Sequence, residues 1–129
     1  MAIIMNVKEV KVIAICANDT DTESNVASRF ARCEYYTVYN HETLEFTFYK
    51  NIAKDEMSGA GGKAAKQISD LNVDVVLVPE VGPKAYDALE AFEIDIYRYT
   101  KSYSVRDAVY EFYENNLERV TSFTKKGKH

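Results

Sequence analysis

Hydrophobic positions fall into two registers along this chain. Residues 10–17 (VKVIAICA) and 73–78 (VDVVLV) are nearly continuous apolar runs, the pattern of strands covered on both faces. Residues 35–40 and 44–50 instead alternate aromatic or β-branched residues with polar ones. That alternation predicts antiparallel strands with one wet face, joined by His41-Glu42-Thr43 as a short hairpin. Period-3.6 faces predict three helices, through Ala64, Ala65, Ile68 and Leu71, then Ala85, Ala88, Leu89 and Phe92, then Val105, Ala108, Val109 and Phe112. Gly82-Pro83 supplies a start for the second helix, and Ser104 with Asp107 resembles a capping box for the third. Ile94-Asp95-Ile96-Tyr97 reads as a further strand. Residues 58–97 thus form glycine turn, helix, strand, helix, strand, a right-handed parallel crossover unit.

The expected order is β-β-β-α-β-α-β-α: an α/β fold with a single mixed five-stranded sheet and three helices. Three antiparallel strands followed by alternating helices and parallel strands suggest the ribonuclease H-like arrangement. The expected organisation is a loose leader over residues 1–9, one domain over 10–117 and a flexible tail over 118–129.

Composition narrows the function. With 129 residues, 47% of them hydrophobic and 28% charged, the chain suits one globular domain that buries its own core. A net charge of −4 argues against nucleic acid or an anionic membrane as the main partner. No apolar run approaches the roughly 20 residues of a membrane span, and the apolar stretch over residues 2–5 is too short for a secretory core. Cys16 and Cys33 make no disulfide framework and point to a reducing, cytoplasmic setting.

Several motifs invite chemistry. Gly59-x-Gly61-x-x-Ala64, with Glu80 further on, fits the dinucleotide fingerprint, but the strand before it alternates like an antiparallel one and the chain is short for a dinucleotide domain. A P-loop fits worse, because Ala64 follows Gly62-Lys63 where Ser or Thr is needed. The turn still offers helix-start N–H groups to an anion. Asp19, Asp21 and Glu23 read as a solvated acidic loop or as carboxylate ligands. Two-metal nuclease chemistry is excluded, since residues 12–17 carry no carboxylate. Cys16 reads as a small core residue. Cys33 reads either as core or as a thiolate favoured by Arg29 and Arg32. No nucleophile–base pair is legible and the only histidines, His41 and His129, fall outside the expected pocket, so no catalytic residue and no enzyme activity are expected.

Phe30-Ala31-Arg32-Cys33-Glu34-Tyr35-Tyr36 resembles the F-G-R-x-x-Y-F segment of the dinitrogenase iron–molybdenum cofactor biosynthesis family, the NifX-type domain also found at the carboxyl end of NifB. The run from Ser58 to Ala65 resembles that family's H-G-A-G-x-x-A-A turn. Residues 71–85 (LNVDVVLVPEVGPKA) resemble its L-G-V-D-V-V…G-P-x-A block. The resemblance implies a ribonuclease H-like fold and a non-enzymatic role in carrying or inserting iron–sulfur or iron–molybdenum precursors, with cofactor-assembly proteins as partners. Three positions depart from the pattern: Arg29 and Ser58 stand where the family has histidine, and Ala31 where it has glycine. Cys33 is then the remaining soft metal ligand, and Arg29 and Ser58 suit an anion better than a metal.

The expected binding edge comprises Asn18 with the loop through Thr22, Arg29, Arg32 and Cys33, and Ser58, Gly59, Gly61 and Gly62. Any iron–sulfur or iron–molybdenum cluster precursor is expected to bind weakly through Cys33. Clusters want about four ligands, so exogenous thiols or the second subunit of a homodimer would complete the site. Two other readings remain open: a regulatory module for a small anion, and an interaction domain using the tyrosine-rich hairpin.

Overall fold

The computed structural model describes residues 6–27, 29–101 and 103–121. Six strands form a single open sheet in the order β3-β2-β1-β4-β5-β6. Strand β1 (Val12–Ala17) sits centrally, antiparallel to β2 (Tyr35–Asn40) and parallel to β4 (Val75–Val78). All but the first residue of β1, and all of β4, are buried, as their unbroken apolar runs require. Strand β3 (Glu45–Lys50) pairs antiparallel with β2 at one edge and alternates in burial. Strand β5 (Asp95–Arg98) runs parallel to β4.

The strand count corrects the sequence reading. Glu118–Arg119 forms a sixth strand, β6, antiparallel to β5 through Tyr97↔Arg119 and Arg98↔Glu118. It lies within the stretch assigned from sequence to a tail. Both its residues are charged, and ion pairs Arg98–Glu118 at 3.1 Å and Arg119–Asp95 at 3.3 Å tie it to β5. The leader and tail assignments at residues 1–5 and 122–129 lie outside the described residues, as does His129.

Among the described residues three α-helices cover the sheet. Helices α1 (Ala60–Asp70) and α2 (Pro83–Ala91) pack together on one face, over a core that includes Ala14, Cys16, Tyr36, Ile68, Val76 and Leu89. Helix α3 (Val105–Tyr113) covers the opposite face, over Ile13, Ile15, Leu77, Tyr97 and Phe112. The Ser104 hydroxyl accepts from Asp107 N at 3.0 Å, capping α3 as its spacing predicts. Asp74 does structural work: its Oδ2 accepts from Lys11 N and Val12 N at 3.2 and 3.1 Å, pinning the start of β1.

Two local expectations shift. Leu44 does not open β3; it takes a left-handed φ of 62° at the end of a four-residue connection whose amides at Glu42 and Thr43 bond the Asn40 side chain. Phe92 stays 40% exposed because α2 ends at Ala91, and Phe92 is its C-cap rather than part of its buried face.

Candidate functional site

Parallel strands β1 and β4 lie side by side, yet the chain leaves them in different directions. After β1 it loops back to the antiparallel β2; after β4 it enters α2. Such a divergence opens a crevice at the carboxyl ends of the strands. A cavity of about 500 Å³ occupies that end of the fold, walled by residues 29–32, 57–61 and 80–85.

Two of its walls are helix starts. Helix α1 begins after Gly59, whose φ of 75° lies in the left-handed region that glycine adopts at little cost. Helix α2 begins after Gly82 with Pro83 in its first turn. Neither N-cap has a side chain to bond the first-turn amides, so both helices present N–H groups and their positive dipole ends to this part of the fold. The two starts are in close contact: a Cβ built on Gly61 would stand 3.0 Å from Ala85 Cβ and 3.1 Å from Ala85 N. Glycine at position 61 is what lets α1 and α2 converge.

The third wall is the turn over residues 29–33, held by hydrogen bonds rather than by a helix. Asn51, 4% exposed, donates through Nδ2 to Ala31 O at 3.0 Å and Cys33 O at 2.9 Å, and accepts from Ala53 N at 2.9 Å. Arg32 Nη1 donates to Lys54 O and Glu56 O, both at 2.7 Å. Arg32 lines the cavity, but this nitrogen is committed to the backbone. Arg29 is exposed at the wall. The lining carries Arg29, Arg32 and Lys84 against the single carboxylate of Glu80. In a protein of net charge −4 this is a local reversal of sign.

Of the residues expected at the binding edge, Arg29, Arg32, Ser58, Gly59 and Gly61 come together on this cavity. Asn18, Cys33 and Gly62 are not among its lining residues. Asn18 is exposed on the loop after β1. In that loop Asp19 bonds Thr20 N, Asp21 bonds Glu23 N, and Glu23 pairs with Arg106 at 2.8 Å, so the acidic side chains turn to local partners. Among the described residues no three His, Cys, Asp or Glu side chains gather as a metal site. The wall at residues 80–85 was missed as a site, although Gly82-Pro83 was legible as a helix start. Its membership follows from the order β1–β4 and the convergence of α1 on α2.

Cys33 turns away from the cavity into the core and is 3% exposed. Its thiol donates to Phe30 O at 3.3 Å. The Tyr36 hydroxyl donates to the same oxygen at 3.0 Å, and the Cys16 thiol makes a longer contact to it at 3.9 Å. The neighbouring Cys16 thiol is the chief influence that pulls the Cys33 thiol below the ordinary cysteine range, against the opposing effect of burial. Full burial, with Cys33 beside it, pushes Cys16 well above that range.

A profile of the dinitrogenase iron–molybdenum cofactor family matches residues 11–115. The chain belongs to this family. Over 122 residues it is 28% identical to an uncharacterized protein of Methanocaldococcus jannaschii, covering 92% of this chain and 98% of that one. Its fold matches the apo form of the orange protein from Desulfovibrio gigas with a TM-score of 0.86 at 27% identity, covering 91% of this chain and 98% of the other. It also matches a proposed NifB protein from Thermotoga with a TM-score of 0.80 at 30% identity, covering 91% and 99%. No helix among the described residues is long and apolar enough to cross a membrane.

Proposed function

We propose that this chain is a non-enzymatic carrier or accessory protein of iron–sulfur or iron–molybdenum cofactor assembly, holding an anionic metal cluster or its precursor in the cavity. The observation that carries this reading is the cavity wall itself: two helix starts in contact, with Arg29, Arg32 and Lys84 around about 500 Å³. Backbone N–H groups and fixed cations attract a polyanionic cargo without a full set of protein ligands, and they let it leave again. Membership of the cofactor family supports the choice of cargo, as does likeness to a protein solved in an apo form, a term that implies a loaded state. The reading extends to a ribonuclease H-like fold, a cytoplasmic setting and cofactor-assembly proteins as partners. Met57, 97% exposed at the cavity wall, offers such a partner an apolar contact.

Anaerobic reconstitution with iron and sulfide, with and without molybdate, tests it by the visible absorbance that comigrates with the protein. Reversing charge by Arg29→Glu with Lys84→Glu is expected to abolish retention. Uptake by neither the parent nor any variant refutes the carrier reading. Cys33→Ala separates two modes of holding: full loading supports capture by charge and backbone, and lost absorbance supports the thiolate ligation expected from sequence. Sulfate or phosphate raising the melting temperature, with no cluster uptake, favours a small-anion regulatory module at the same cavity.

A further inference from the structure

Beneath the cavity wall the core holds two free thiols and a phenol gathered around one carbonyl oxygen, that of Phe30. The cavity reading assigns the thiols no task. They belong to different segments: Cys16 is near the end of the central strand β1, and Cys33 is in the turn that forms the hydrogen-bonded wall. Each reaches the Phe30 oxygen through its sulfur, and each thiol shifts the acidity of the other. Phe30 is itself among the residues that line the cavity, between Arg29 and Ala31. A change at the sulfurs therefore acts on the backbone that carries the arginine wall.

We propose that Cys16 and Cys33 form a redox-active dithiol, converted to an intramolecular disulfide by hydrogen peroxide, which loosens the 29–33 wall of the cavity. The two thiols have distinct roles. Cys33 lies in the wall turn rather than in a strand and has the more acidic thiol, which makes it the attacking sulfur; Cys16, enclosed within β1, resolves the intermediate. In the first step the Cys33 sulfur bonds one peroxide oxygen and the O–O bond breaks. The departing hydroxide leaves as water with the Cys33 proton, and Cys33 becomes a sulfenic acid. In the second step the Cys16 sulfur bonds the Cys33 sulfur, the S–O bond breaks, and a second water leaves with the Cys16 proton. Two thiols and one peroxide give one disulfide and two waters, with two electrons passing from sulfur to oxygen. Both S–H donors to the Phe30 oxygen are lost, while the Tyr36 hydroxyl, at 3.0 Å, still holds it.

The proposal is independent of what the cavity binds, and its test uses the full chain with no ligand. Reduced protein freed of reductant is titrated with hydrogen peroxide, and thiols are counted after denaturation. The expected result is a fall from two thiols per chain to none, at monomer mass, with two hydrogens lost, a peptide joining Cys16 to Cys33, and reversal by dithiothreitol. In Cys16→Ala the Cys33 sulfenic acid should be trapped by dimedone, with no such adduct on the parent; should that variant not fold, the parent's mass and peptide map decide alone. Thiols that survive excess peroxide, oxygen added without S–S formation, or a disulfide only between chains would overturn the proposal. Amide exchange over residues 29–34 should quicken in the oxidised protein; unchanged exchange overturns the link to the cavity wall.

Discussion

Replacing Gly61 and Gly62 by alanine, one at a time, isolates the contact that brings the two helix starts together. Both residues lie in the first turn of α1, so each alanine gains a similar helix preference, up to about 1 kcal/mol over glycine. Their surroundings differ. The new Cβ at position 62 meets nothing within 4 Å, whereas at position 61 it meets Ala85 Cβ, N and Cα at 3.0, 3.1 and 3.2 Å. Two of those atoms are backbone of α2 and cannot rotate aside, so the helices must separate, an overpacking cost of about 1–3 kcal/mol. The preference term cancels in the comparison. Gly61→Ala is therefore expected to be about 1–3 kcal/mol less stable than Gly62→Ala, a gap of roughly 4 °C in melting temperature per kcal/mol at this chain length. Urea denaturation followed by circular dichroism measures both, with an unchanged slope confirming that the denatured states match. Equal midpoints, or a more stable Gly61→Ala, would refute the close approach of α1 and α2 at the cavity.

Asn51→Ala removes the side-chain hydrogen bonds to Ala31, Cys33 and Ala53 that hold the 29–33 turn and should cost about 2–4 kcal/mol in urea melts; a loss under about 1 kcal/mol means the turn is held by other contacts. Gly59→Ala forces a side chain onto a φ of 75° and should destabilise by about 1–2 kcal/mol, while Gly59→Asn, which tolerates that region better, should recover part of the loss. Burial holds the Tyr36, Tyr99 and Tyr113 phenols above their ordinary range. In the unfolded chain they ionise near pH 10, so unfolding above that pH releases protons. The stability they support is complete below about pH 10 and falls as pH rises beyond it. The urea midpoint should drop above that pH; a midpoint that stays level well above about pH 10 contradicts this.

Legibility differed by the kind of force that shapes each element. Strands β1 and β4 announce themselves because burial on both faces demands unbroken apolar runs, and α1 and α3 because a single buried stripe imposes a helical period. Strand β6 carries no such mark. Glu118 and Arg119 are ordered by pairing with Tyr97 and Arg98 and by ion pairs across β5, contacts between positions about twenty residues apart. The two older walls of the cavity were legible as a charged turn and a glycine turn. The third was not, because only the finished sheet order sets α2's start against α1's. Cys33 sits in a readable motif, yet which way its thiol points depends on the turn made by residues 30–33, which no periodicity encodes.

The contact between Gly61 and Ala85 also determines how the cavity can move. Helices packed without a side chain between them shift as one body, so the walls at residues 57–61 and 80–85 act as a fixed jaw. The wall at residues 29–32 is the other jaw, and it is latched by Arg32 on the carbonyls of Lys54 and Glu56 and by Asn51 on those of Ala31 and Cys33. Latches of this kind release one bond at a time, in contrast to a packed interface, which gives way all at once. Any widening of the mouth therefore falls to the arginine side, where the bonds of Arg32 and Asn51 must give first.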